Sequence, residues 1–208
     1  MSHGVHAVQH EVEHKIEHDK HGGHGHDDSK DLNKKVALLI AVLALFLAFS
    51  ETLGKSAQTG ALSYNIEASN LWAFFQAKNI RRTVVLTAAE EMTVNAPAVP
   101  EVIKAAATKQ IDTWQKNAAR YRSEPDVREG TVELAERAKA MEKKRDTALA
   151  KYHHYEVASA AFQIGIVLAS ATVITGMIAL TWLALGLGGL GVLFTAIGLF
   201  APHAIHLF

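Results

Sequence analysis

The sequence predicts an all-α membrane protein: three transmembrane helices, with an extramembrane antiparallel helical, coiled-coil-like hairpin between spans one and two. Three observations predict it. Residues 36–50, VALLIAVLALFLAFS, with their continuation ETLG, reach the roughly 19–20 residues that cross a hydrocarbon core. From Val157 to Ala201 no Asp, Glu, Lys or Arg occurs across 45 residues, too long for one span and suited to two joined by a turn. Between these tracts, residues 55–156 are rich in helix formers, show no alternating strand pattern and carry few turn signals.

Composition narrows the function. The 208 residues hold 21 Lys+Arg against 21 Asp+Glu, so the basic footprint that nucleic acid requires is missing. There is no cysteine, which removes disulfides, thiolate catalysis and Cys-based zinc sites. The charges are segregated into residues 1–35 and 55–156.

In chain order the elements are a His-rich tail (1–32), span one (33–54), the hairpin (55–156), span two (157–180) and span three (186–205). Span one is not a signal peptide, because its charged leader is too long and no A-x-A site follows. The reversal between spans two and three is expected in TWLALGLGG (181–189), where Trp182 suits an interface and glycines permit a turn. Ala161, Gly165 and Ala169 recur every four residues, with Thr172 and Gly176 on an adjoining stripe, a pattern that lets helices approach closely in lipid. GLGGLG (186–191) formally matches a dinucleotide fingerprint. That reading needs a preceding strand and an acidic residue about 20 positions on, and this apolar tract provides neither.

The hairpin reads as helices over 56–94, 101–123 and 126–156, broken at Pro97, Pro100, Pro125 and Gly130. The outer two rise about 57 Å and 45 Å, matched arms for an antiparallel pair. In the last helix Val127, Leu134, Met141, Ala148, Tyr155 and Phe162 fall seven apart. Ala138 and Arg145 weaken the partner positions, so a packed helix is expected rather than a strict dimeric coiled coil. The middle helix offers a docking stripe of Ile103, Ala107, Ile111, Trp114, Ala118 and Tyr121. The first helix is apolar on two faces: Leu62, Ile66, Ala73, Ile80 and Val84 on one, Leu71, Phe74, Phe75 and Val85 on another. Two faces need two partners, the third helix and a neighbouring subunit, so a homo-oligomer is expected. Leu71, Trp72, Phe74, Phe75 and Val85 are the candidate interaction residues.

NIEASNLWAFFQAKNIRR (65–82), soon after a span ending FSETLGKSAQT, resembles an uncharacterised bacterial membrane family, domain of unknown function 4337. The likeness covers about residues 30–205 and rests on Trp72, Gln76 and Lys78 together within an apolar helix. It implies a bacterial membrane protein and brings no activity or catalytic residue with it. The His-rich tail falls outside the family pattern.

That tail holds eight histidines in its first 26 residues. His6, His10, His14, His18 and His21 step by four, four, four and three, forming a ridge opposite Val5, Val8, Val12 and Ile16, with His24 and His26 following. Three readings stand. The tail is solvated chain, a Zn²⁺, Ni²⁺ or Cu²⁺ ligand set through paired imidazoles, or a pH-responsive segment that turns cationic in acid. No other cofactor is expected. Glu51, Lys55, Lys151 and His154 are candidate interfacial polar residues at the membrane surface, where an ion pair or a snorkelled side chain is the expected role. No nucleophile elbow, phosphate loop or H-E-x-x-H is present, so no enzyme class is suggested.

The charge evidence on orientation conflicts. Lys30, Lys34 and Lys35 favour a cytosolic N-terminus, and Lys139, Lys143, Lys144, Arg145 and Lys151 favour a cytosolic hairpin. The first span is given more weight. The expected function is a self-associating, membrane-anchored scaffold or interaction protein in the bacterial inner membrane. Its partners would be the bilayer, its own copies and a larger membrane complex. Metal binding or sensing through the histidine ridge is the alternative.

Overall fold

A computed structural model describes residues 24–205, with side chains from residue 31 onward. The described residues contain no strand. They form α1 (His24–Asn95), a 3₁₀ turn (Ala96–Ala98), α2 (Glu101–Arg122), α3 (Thr131–Thr175) and α4 (Ile178–Phe200). Three of these helices, α1, α3 and α4, are long and apolar enough to cross a membrane. The expected borders near residues 54 and 156 fall inside α1 and α3 rather than at breaks. The described residues divide into two compact units, one of the residues up to Gly54 with His153–Ala201, the other of Lys55–Tyr152 with the residues from Pro202 on.

In the first unit α1, α3 and α4 pack together, with α3 antiparallel to the other two. Val36 meets Ala169 and Ala184, and Leu43 meets Ala158 and Phe162, so α1 and α3 run in opposite directions. Phe46 stacks on Phe162 at 5.9 Å. The Ser50 hydroxyl, fully buried, donates to the Tyr155 carbonyl at 3.1 Å. The small residues of α3 do what their spacing predicts: Ala161, Gly165 and Ala169 are buried, and a Cβ on Gly165 would stand 3.3 Å from the Ala184 carbonyl of α4.

The turn between α3 and α4 is not where the glycine-rich run suggested. α3 ends at Thr175 and α4 begins at Ile178. Gly176 takes φ +70, a left-handed conformation that glycine adopts without steric cost, and its N–H donates to the Thr172 carbonyl at 2.8 Å. Trp182 and the GLGGLG run lie inside α4. Ala184, Gly188, Gly191, Thr195 and Gly198 are its buried residues, in steps of four and three along one face. A Cβ on Gly188 would stand 2.6 Å from Leu43, one on Gly191 2.7 Å from the Phe162 ring, and one on Gly198 2.7 Å from the Tyr155 ring. The run is therefore a packing surface in mid-helix, with neither the strand nor the loop that a dinucleotide site needs. Outside, Leu38, Leu45, Val167, Ile174, Leu193 and Phe200 are exposed, so this unit is apolar on its surface as well as within.

The second unit is helical as well. Pro97 and Pro100 end α1 and start α2, since proline cannot donate within a helix and restricts the residue before it. α1 and α3 run antiparallel: Leu71 packs on Leu134 and Ala138, with Trp72, Phe75 and Met141 alongside. Towards the other end of this contact the Lys144 ammonium lies 5.6 Å from the Tyr64 ring, and Arg145 donates to Asn65 at 3.3 Å. α1 buries or half-buries Ala61, Tyr64, Ala68, Leu71, Phe75, Lys78, Arg82, Val85, Ala89 and Met92. These alternate in steps of three and four, the spacing that keeps one seam facing a neighbour. α3 answers with Thr131, Leu134, Ala138, Met141, Arg145 and Ala148. The positions that looked weak in sequence, Ala138 and Arg145, are part of this seam, while Val127 precedes α3 and is exposed.

Candidate functional site

Two features of the second unit stand out, and both belong to α1. The first is a buried cation. Lys78 sits in the inward seam with its side chain 8% exposed, its ammonium 3.0 Å from Glu124 and 3.8 Å from Glu129. The rings of Phe74 and Tyr121 lie 5.6 and 5.9 Å from it. A buried ammonium is tolerated only when paired, and here the partners come from the connection between α2 and α3.

That connection, SEPDVREG, is held by its own hydrogen bonds. The Thr131 hydroxyl donates to the Arg122 carbonyl at 3.2 Å, and the Arg128 N–H, at φ 55, donates to the Glu124 carbonyl at 2.9 Å. Glu133, in the first turn of α3, accepts from the Ser123 hydroxyl and from the Glu124 N–H. The Ser123 hydrogen bond, helped by the Glu124 N–H and the Arg128 charge, holds the Glu133 carboxyl below its ordinary pKa of 4.5. Gly130 is required by space: a Cβ there would lie 2.5 Å from the Ser123 Cα and 2.6 Å from the Glu124 nitrogen. The loop thus delivers Glu124 and Glu129 to Lys78. The chemistry of this cluster is cohesion. Two carboxylates hold the one ammonium, with Arg120 3.8 Å from Glu124 as a second cation, and together they tie α1 to the α2–α3 connection.

The second feature is the opposite side of α1. Leu62, Ile66, Ile80 and Val84 are between 53% and 63% exposed, and Ala73 is exposed with them. At about 100° per residue these five fall within an arc of about 40°, about 170° around the helix from the inward seam. This stripe is the unpartnered face.

The interaction residues expected from sequence therefore take a different place. Leu71 is buried against α3, Trp72 and Phe75 meet edge to face at 5.4 Å beside it, and Val85 is half-buried on the inward side. The Trp72 indole N–H donates to Glu142 at 2.9 Å. Phe74 lies at the margin under the Lys78 ammonium. This face is used within the chain, because the antiparallel return of α3 reaches it first. The Leu62–Val84 stripe is left uncovered.

Of the interfacial polar set, Glu51 accepts a hydrogen bond from Gln163 at 3.3 Å, and His154 is buried and stacked on Phe194 at 6.0 Å. Lys55 is exposed and Lys151 half-buried in the second unit. His6, His10, His14, His18 and His21, and the side chains of His24 and His26, lie outside the described residues. Among the described residues no group of three or more His, Cys, Asp or Glu is placed to hold a metal ion. An open groove of about 320 Å³ between α1 and α2, lined by Leu86, Ala89, Glu90, Thr93, Val94 and Gln115, gathers no convergent reactive groups.

The Lys78 cluster escaped the sequence reading, although Lys78 stood within the distinctive stretch. Its signal was the three-and-four spacing through Leu71, Phe75, Lys78, Arg82 and Val85, masked because two of those positions carry charge.

Residues 32–201 match the family described as domain of unknown function (DUF4337). The chain belongs to this family. No curated protein and no solved structure matches the chain. The matched stretch of this DUF4337 chain takes in most of both units and leaves out the histidine-rich segment before residue 32.

Proposed function

We propose that this chain is a membrane-anchored helical scaffold of the bacterial inner membrane, multi-pass, acting by helix–helix contact rather than by catalysis. In this reading the first unit is the anchor, held in lipid by three spans. The second unit stands outside the bilayer as an antiparallel helical hairpin. The observation that carries the reading is the Leu62, Ile66, Ala73, Ile80, Val84 stripe. Apolar side chains placed in a narrow line over about 33 Å of helix, opposite a face already packed within the chain, suit burial against another helix. The apolar outer surface of the first unit supports the anchor role, and the concentration of charge in residues 55–156 supports placing the second unit in water.

The test is the mass of the detergent-solubilised protein by light scattering, compared with the Ile66→Glu/Ile80→Glu double variant. The expected result is an oligomer for the wild type and a monomer for the variant, with unchanged helical circular dichroism. A wild type that stays monomeric up to high micromolar concentration refutes self-association. Charging Trp72 or Phe75 is the wrong test, because both pack inside the hairpin and their loss perturbs the fold itself.

A further inference from the structure

The outward stripe has a symmetry that names its occupant. Its apolar members are Leu62, Ile66, Ala73, Ile80 and Val84, and exposed Lys55 and Glu91 lie on the same line beyond its two ends. Read outward from Ala73 the pattern is the same in both directions. Ile66 and Ile80 lie seven residues away, Leu62 and Val84 eleven, Lys55 and Glu91 eighteen. Apolar therefore answers apolar at seven and eleven residues, and a cation at one end answers an anion at the other. Between Lys55 and Glu91 no charged residue falls within about 60° of this line, which holds Gln58, Thr59, Ser69, Asn70, Gln76, Ala77, Thr87 and Ala88 besides the apolar set.

We propose that the partner of this face is a second copy of the same chain. The two α1 helices run antiparallel about a two-fold axis beside Ala73. An isologous contact requires a surface complementary to itself, and a sequence palindromic about one residue meets that requirement for antiparallel helices. Ile66 then packs on Ile80 of the second copy and Leu62 on Val84, each pair occurring twice. The small Ala73 stands at the centre, where the helices approach most closely. Lys55 lies level with Glu91 of the other copy at both ends, about 54 Å apart. Parallel, in-register pairing would match the same apolar residues but set Lys55 beside Lys55 and Glu91 beside Glu91. The charge order favours the antiparallel form.

The inference rests on the scaffold reading, and the experiment separates the two. The chain has no cysteine, so single-cysteine variants report unambiguously. Full-length Leu62→Cys and Val84→Cys proteins carrying different tags are mixed in detergent, and again after reconstitution into liposomes, then mildly oxidised. The expected result is a disulfide joining a Leu62→Cys chain to a Val84→Cys chain, with little product from either variant oxidised alone. Lys55→Glu should weaken the wild-type dimer about three- to tenfold, with the Lys55→Glu/Glu91→Lys double variant restoring it. Efficient crosslinking of each variant to itself, or an oligomer giving neither pattern, overturns the antiparallel pair while leaving the scaffold reading standing. A monomeric wild type overturns both.

Discussion

The Lys78 cluster makes a prediction that depends on which partner is removed. The ammonium is nearly buried at 8% side-chain exposure, Glu124 is 25% exposed and Glu129 47% exposed. Removing a carboxylate strands a buried charge, whereas removing the lysine leaves carboxylates that water can reach. Breaking a buried pair from one side costs about 3–5 kcal/mol when nothing else compensates. Here Glu129 remains at 3.8 Å against 3.0 Å for Glu124, so by inverse distance it supplies about four-fifths of the attraction that Glu124 supplied, before solvent screening. The Phe74 and Tyr121 rings add a cation–π contribution of about 0.5–2 kcal/mol. Glu124→Ala should therefore cost about 1–2 kcal/mol, and Glu124→Ala/Glu129→Ala about 3–5 kcal/mol, more than twice the single change. Lys78→Met keeps the aliphatic stem and leaves Glu124 with Arg120 at 3.8 Å and water, so it should cost about 1 kcal/mol or less. The assay is urea unfolding of the full chain in detergent, followed by circular dichroism and tryptophan fluorescence, Trp72 being in the packed seam. A Lys78→Met variant as unstable as the double glutamate variant would refute the reasoning, since the pair would then be a net source of stability rather than a compensated burial.

Three further outcomes follow from other sites. In α4, Gly191→Ala should cost about 1–3 kcal/mol in a mixed-micelle unfolding titration because its Cβ meets the Phe162 ring. Gly189→Ala, with nothing within 4 Å, should be neutral or stabilising by about 0.5–1 kcal/mol. Glu133 has a lowered folded pKa, so its stabilising effect is present above the unfolded value of about 4.5 and is lost as pH falls through the lower folded value. Glu133→Gln should flatten that acid limb in a pH series of thermal unfolding. Zn²⁺ or Ni²⁺ should bind the full chain at micromolar concentration through the tail and not bind a chain lacking residues 1–28, with equal calorimetric signals from both refuting the ridge as the ligand set.

The helices and apolar tracts were legible because their signals are local: uncharged runs of membrane length, and prolines at 97 and 100. The two faces of α1 were legible too, but not which of them α3 would cover. Leu71, Trp72, Phe74 and Phe75 looked more like a contact surface because aromatic residues dominate interfaces. The choice was made by α3, whose small and apolar line of Leu134, Ala138 and Met141 fits that side, and no single helix encodes it. Lys78 was hidden for a related reason. A lysine in a seam position reads as a fault in the pattern until Glu124 and Glu129, 46 and 51 residues later, are seen beside it. The α3–α4 turn was misplaced because glycine signals two opposite things. At Gly176 it supplies a left-handed turn, and at Gly188, Gly191 and Gly198 it removes a side chain so that another can enter. Only the neighbours distinguish them.

The notched face of α4 has a mechanical consequence. Leu43, Phe162 and Tyr155 each occupy a gap left by one glycine, so the three gaps work as the wards of a lock. Sliding α4 by three positions would bring Leu185 to Leu43, and sliding it by four would bring Leu187 to Phe162. Neither small slip finds empty space. The first unit is built to hold one register of α4 against its neighbours.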